Sequence, residues 1–92
     1  MIVCPLHHYY SPEHLADVTA TMQVLGSPVL RGHYHDGVVY LAEGTHRIRA
    51  AHALGVVPTI RRIAWWRGRQ ALVNAGHAAE RRGLAFPVVR LV

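Results

Sequence analysis

The sequence predicts a small mixed α/β domain, α+β in its segregation of elements, in the order β-α-β-β-α-β-α-β. Three observations predict it. Apolar residues recur at helical spacing inside stretches that begin and end at capping residues, an Asp-Gly dipeptide separates two β-rich runs, and glycine or proline punctuates the chain at short intervals.

Each element follows from local chemistry. Residues 1–6 form a short apolar stretch and a first strand, which Pro5 assigns to a sheet edge. Ser11-Pro12-Glu13 starts a helix: a hydroxyl N-cap, proline at the first helical position and an acid in the first turn. Leu15, Val18, Met22 and Leu25 then make one buried stripe, which stops at Gly26. Residues 28–34 and 38–42 read as strands around His35-Asp36-Gly37, whose Asp-Gly supplies the positive φ of a tight hairpin. A second helix opens at Glu43-Gly44-Thr45, packs Ile48, Ala51 and Leu54 inward and ends at Gly55. Residues 56–63 read as a strand, with Pro58 marking an edge or a strand start. Residues 68–82 read as a third helix, weakened by Gly76 and closed by Gly83, and residues 87–92 as a last strand.

A chain of 92 residues has room for one core, so residues 1–92 are read as one domain. With 51% apolar and 16% charged residues it is expected to fold. No apolar run approaches the ~18 residues of a membrane span, and no signal peptide opens the chain. The single Cys4 excludes an internal disulfide and a multi-cysteine zinc site, so a cytoplasmic setting and no membrane partner are expected. A core this small without staples also suits a homodimer or a protein partner. The net charge is +5, and all ten basic residues are arginine. A pI near 10.4 fits a polyanionic partner, although the arginines are scattered rather than clustered.

The stretch with most chemistry is Glu43-Gly44-Thr45-His46-Arg47. A strand ends in glycine and a helix begins at once with a hydroxyl, an imidazole and a guanidinium. Free amides and the positive end of the helix dipole make such a place an anion site. Gly44 lets a phosphate approach the backbone, Thr45 caps the helix or offers its hydroxyl, and His46 and Arg47 add donors.

Together with Ile48-Arg49-Ala50-Ala51, Leu54-Gly55 and Val57-Pro58-Thr59-Ile60, this box resembles the ParB/sulfiredoxin superfamily, ParB-like nuclease domains included. The likeness extends over about residues 11–63, taking in the helix ending near Gly26, Pro28-Val29-Leu30-Arg31 and Val39-Tyr40-Leu41. Members bind a nucleoside triphosphate over the glycine: partition ParB proteins hydrolyse CTP, sulfiredoxin uses ATP, and a related kinase phosphorylates serine. The resemblance implies that Gly44, Thr45, His46 and Arg47 hold phosphates and that Glu43 helps hold Mg2+, with Glu43 also the catalytic candidate of an NTPase or nuclease-like enzyme. Thr45 stands where sulfiredoxin has its reactive cysteine, which argues against sulfinic-acid repair, and the helix-turn-helix domain of a full ParB has no counterpart in these residues.

Two functional classes therefore fit. One is a nucleotide-binding domain, with CTP or ATP as ligand. The other is a non-catalytic DNA- or protein-binding module on the same fold, for which small size suggests by analogy a plasmid- or phage-borne inhibitor. Trp66, Arg67 and Arg69 pair aromatic and guanidinium groups as stacking surfaces for non-specific DNA do, although a core or partner role suits the adjacent tryptophans better. The eight histidines, including His7, His8, His33 and His35, read as surface residues in preference to a metal site.

Overall fold

In a computed structural model the fold is described for residues 1–63 and 82–92. The elements are β1 (Ile2–Cys4), α1 (Pro12–Leu25), β2 (Val29–His35), β3 (Val38–Leu41), α2 (Thr45–Leu54), β4 (Thr59–Arg62), β5 (Leu84–Ala85) and β6 (Arg90–Leu91). The expected helix over 68–82, with Trp66, Arg67 and Arg69, lies essentially outside the described residues.

The mixed α/β class holds, and the punctuation acts as its chemistry requires. Ser11 Oγ accepts the His14 amide at 3.3 Å, and α1 ends at Gly26, whose φ is +82°. Asp36 and Gly37 both take positive φ, the two-residue turn that suits the right-handed twist of a hairpin. At the end of α2 the Val56 amide reaches back to the Ala51 carbonyl and Gly55 adopts φ +69°, closing the helix with a Schellman-type turn.

The strands form one sheet in the order β5-β1-β3-β2-β4-β6. β1 runs parallel to β3, β2 and β3 form the antiparallel hairpin, and β4 lies parallel to both β2 and β6. One face carries Val3, Leu30, Val39, Leu41 and Ile60, which pack with Met22 of α1 and Ile48, Ala50 and Ala51 of α2 into a single core. Side chains alternate along a strand, so Arg31, Tyr40 and Arg61 belong to the opposite face.

Three expectations are corrected. β1 is an inner strand: Pro5 falls just past its last residue, where a missing N–H costs the ladder nothing, and β5 pairs along its outer side. Leu25 is 78% exposed, because ten residues after Leu15 a helix has rotated about 80° off the stripe. The last strand over 87–92 is shorter than expected, Arg90–Leu91, and an additional strand, Leu84–Ala85, lies on the opposite edge; the two are split at Pro87, which cannot continue a ladder.

That split shapes the sheet. Five Cα steps join Ala85 to Arg90 and reach at most about 16–18 Å, whereas six flat strands would set their edges about 24 Å apart. The sheet must therefore curl. The linking segment drops Phe86 and Val89 into the core, and Phe86 meets His52 of α2 edge-on at 5.4 Å.

The turn into α2 is fixed by packing. Gly44 sits at φ +81°, and a Cβ there would come 2.5 Å from Cδ2 of the fully buried Leu30. Gly44→Ala should thus lower unfolding stability by about 1–3 kcal/mol, from strain at positive φ and overpacking. Urea denaturation checks this, and a midpoint equal to wild type contradicts it.

Candidate functional site

Gly44 occupies the N-cap position and makes no side-chain cap, so Thr45 is the first residue of the helix rather than its cap. The Ile48 amide bonds to the Gly44 carbonyl. In an α-helix the amides before it, those of Thr45, His46 and Arg47, have no partner within the helix. Thr45 is 6% exposed and is the buried polar residue among those described. Its hydroxyl makes no hydrogen bond among the described residues.

His46 is held by the other helix. Its Nε2 accepts the Ser11 amide at 2.9 Å, so that nitrogen carries no proton and the remaining proton of the neutral ring belongs on Nδ1. The His14 ring meets it edge-on at 4.4 Å. Burial first, then the positive fields of His14, His7 and Arg49, hold the His46 pKa below the ordinary histidine value. One turn on, Arg49 donates from Nη2 to the His8 carbonyl at 2.9 Å and lies over the Tyr10 ring at 4.3 Å. His46 and Arg49 together fasten the β1–α1 connection to α2, so the starts of the two helices meet.

Glu43 lies between two guanidinium groups. Its Oε2 accepts from Arg31 Nη2 at 3.1 Å, and Oε1 is 3.7 Å from Arg47 Nη2. The hydrogen bond from Arg31 is the main cause that lowers its pKa, with the charges of Arg31 and Arg47 reinforcing it. Arg47 also donates from Nη1 to the Val29 carbonyl at 3.3 Å.

These groups border a cleft of about 490 Å³ lined by Leu6, His7, His14, Gly44, Thr45 and Arg47, with Glu43 and His46 on its wall. His14, Val18 and Arg47 also line a second cleft, of about 450 Å³, where Met22, Leu25 and Pro28 provide apolar walls. The two clefts are therefore neighbours along α1, one bordered by the polar groups of the box, the other largely apolar.

The box residues Glu43, Gly44, Thr45, His46 and Arg47 thus line one cleft. As a magnesium site this group fits poorly. Mg2+ takes carboxylates, phosphate oxygens and water, and here the one carboxylate is already neutralised by two arginines. Among the described residues no group of three His, Cys, Asp or Glu is placed to hold a metal. No helix among them is long and apolar enough to cross a membrane.

Sequence reasoning missed Arg31, His14 and Ser11. Arg31 was within reach: a two-residue turn at Asp36-Gly37 pairs His35 with Val38, which brings Arg31 beside Ala42 and hence near Glu43. The His14–His46 and Ser11–His46 contacts have no local signal, because they depend on how α1 packs against α2. No protein-family model, no curated protein and no solved structure matches the chain.

The His46 contact has a pH signature. Its folded-state pKa is depressed, so below the usual histidine value of 6.5 the unfolded chain binds the proton and the folded one resists it. Stability is full above that value and falls as the pH drops below it. Thermal melts from pH 8 to 5 should show this decline, and His46→Gln, which keeps an acceptor but does not titrate, should flatten it. Parallel pH profiles for the two proteins would exclude His46 as the cause.

Proposed function

We propose that the chain binds a nucleotide, CTP or ATP, with its phosphates at the start of α2 and its base and sugar along α1. The observation that carries this reading is Thr45: a polar side chain 6% exposed, in the first turn of a helix, on the wall of a cleft that Arg47 also lines. Its hydroxyl has no hydrogen-bond partner among the described residues and is not fully buried, so it is open to the cleft, where a phosphate oxygen would accept from it. The helix amides and the Arg47 guanidinium add donors for the same anion. The adjoining cleft of about 450 Å³ gives a nucleoside an apolar wall in Val18, Met22 and Pro28. The resemblance of residues 43–60 to the ParB/sulfiredoxin superfamily points the same way. In this reading Mg2+ arrives with the triphosphate, held by phosphate oxygens and water, and the chain works as a cytoplasmic domain.

The state of Glu43 favours binding without turnover over an NTPase or nuclease-like hydrolase. A carboxylate that is neutralised by Arg31 and Arg47, with its pKa lowered, is a weak general base. His46 spends its Nε2 lone pair on a backbone amide, so it is not a free base either.

Calorimetric titration of CTP, ATP and GTP, each with and without magnesium, tests the assignment. Arg47→Ala should weaken nucleotide binding by about 1.5–3 kcal/mol through loss of a charge-assisted phosphate contact. Equal affinity in variant and wild type, at matched melting temperature, would sink the site.

Glu43→Gln separates the two classes. A binding module shows no phosphate release in the wild type, and the variant binds nucleotide more tightly because a negative charge has left the cleft. Magnesium-dependent release that vanishes in Glu43→Gln would instead make the chain an enzyme with Glu43 at its centre.

A further inference from the structure

The face of the sheet opposite the core carries a basic row at its β2–β4–β6 end. Arg31 of β2 stands directly opposite Arg61 of β4, and Arg90 of β6 stands opposite Thr59, two residues before Arg61 and on the same face. All three arginines are exposed. Like charges set opposite each other on neighbouring strands destabilise a sheet. Glu43 offsets this at Arg31 alone; among the described residues Arg61 and Arg90 have no ion pair. The polypeptide thus keeps a cost on a surface where it could have placed neutral residues.

We propose that this face, which lies outside the nucleotide cleft and among the described residues touches it only through the Arg31–Glu43 pair, binds the sugar-phosphate backbone of a nucleic acid. Neighbouring strands put the guanidinium stems about 5–8 Å apart, which suits a polymer that presents one anionic group after another. Each guanidinium takes a phosphate through two parallel hydrogen bonds. An acidic polypeptide is the weaker fit. Recognition of a peptide draws on an open strand edge or on side-chain pockets, and of the three arginines Arg31 and Arg61 lie on strands paired along both edges while Arg90 alone lies on an edge strand. Binding through these arginines should be indifferent to sequence and steeply dependent on salt.

The test is fluorescence anisotropy of a labelled random-sequence DNA duplex between about 50 and 200 mM salt. Wild type should bind at the low end. Arg61→Gln/Arg90→Gln should weaken binding at least about tenfold there and reduce the slope of log affinity against log salt by about two, roughly 0.9 for each lost phosphate contact. Arg62→Gln/Arg82→Gln removes the same charge from other exposed positions and should leave the slope almost unchanged. In melting curves Arg62→Gln/Arg82→Gln should match wild type and Arg61→Gln/Arg90→Gln should equal or exceed it, because the like-charge pair is relieved. Equal weakening by the two double variants would reduce the effect to net charge and overturn the site. So would absence of binding by wild type at low salt, or displacement of the duplex by a polyglutamate peptide at equal charge concentration.

Discussion

The contact between Gly44 and Leu30 is the constraint from which the rest of the site follows. β3 delivers the chain to the core face of the sheet, and the helix has to begin there without a side chain between its backbone and Leu30. Only glycine combines that approach with a left-handed φ at little cost. The turn then sets the azimuth of α2. Ile48 and Ala51 point into the core, Thr45 lies buried at the helix mouth, and His46 and Arg49 face the β1–α1 connection. A glycine that a motif would assign to phosphate approach is therefore needed by packing as well. Its substitution cannot report on ligand binding alone, which is why Arg47 and Glu43 are the informative positions.

The same double use runs through the neighbouring residues. His46 is both a wall of the cleft and the acceptor for the amide of Ser11, the N-cap of α1, so the cleft's geometry and the helix pair's stability are linked through one ring. Arg47 spans the two clefts while bonding the Val29 carbonyl and flanking Glu43. A ligand phosphate at Arg47 would compete with Glu43 for the guanidinium, and Arg31 would keep the displaced carboxylate neutralised. In the proposed reading such an arrangement would hold an anion without a metal ion to screen Glu43. Glu43 and His46, the two box residues with general-base chemistry, are both already paired, whereas His7 and His14 also border the cleft.

Much of the fold was legible because its signals are local. Ser11-Pro12, Asp36-Gly37 and Gly55 each impose a backbone conformation that neighbours do not overrule. The box from Glu43 to Arg47 was legible for the same reason, being consecutive residues at a strand-to-helix turn. What escaped depends on tertiary placement. The placing of the strands that flank Phe86–Val89 on opposite edges goes with a curled sheet, and curling is a property of six strands together. Leu25 looked apolar and periodic, yet ten residues after Leu15 it has rotated off the buried stripe. The Ser11–His46 bond joins residues far apart in sequence, and no pattern in either segment announces the other.

The absence of lysine acquires a physical reading from these contacts, whatever its genomic origin. Arg49 bonds a carbonyl with one nitrogen while its planar face rests on Tyr10. Arg47 addresses a carbonyl with one Nη and a carboxylate with the other, and Arg31 reaches Glu43 across a hairpin register. A lysine ammonium is a point charge, strongly hydrated, and could satisfy only one of each pair at comparable geometry. Arginine-to-lysine exchange at 47 or 49 is therefore not conservative here, whereas at the exposed Arg62 it should be nearly so. The arginines accordingly divide by what surrounds them. Those on α2 are committed to carbonyls, a ring and a carboxylate and build the cleft. Arg61 and Arg90 have no ion pair among the described residues, and they leave most of their charge facing outward from the sheet.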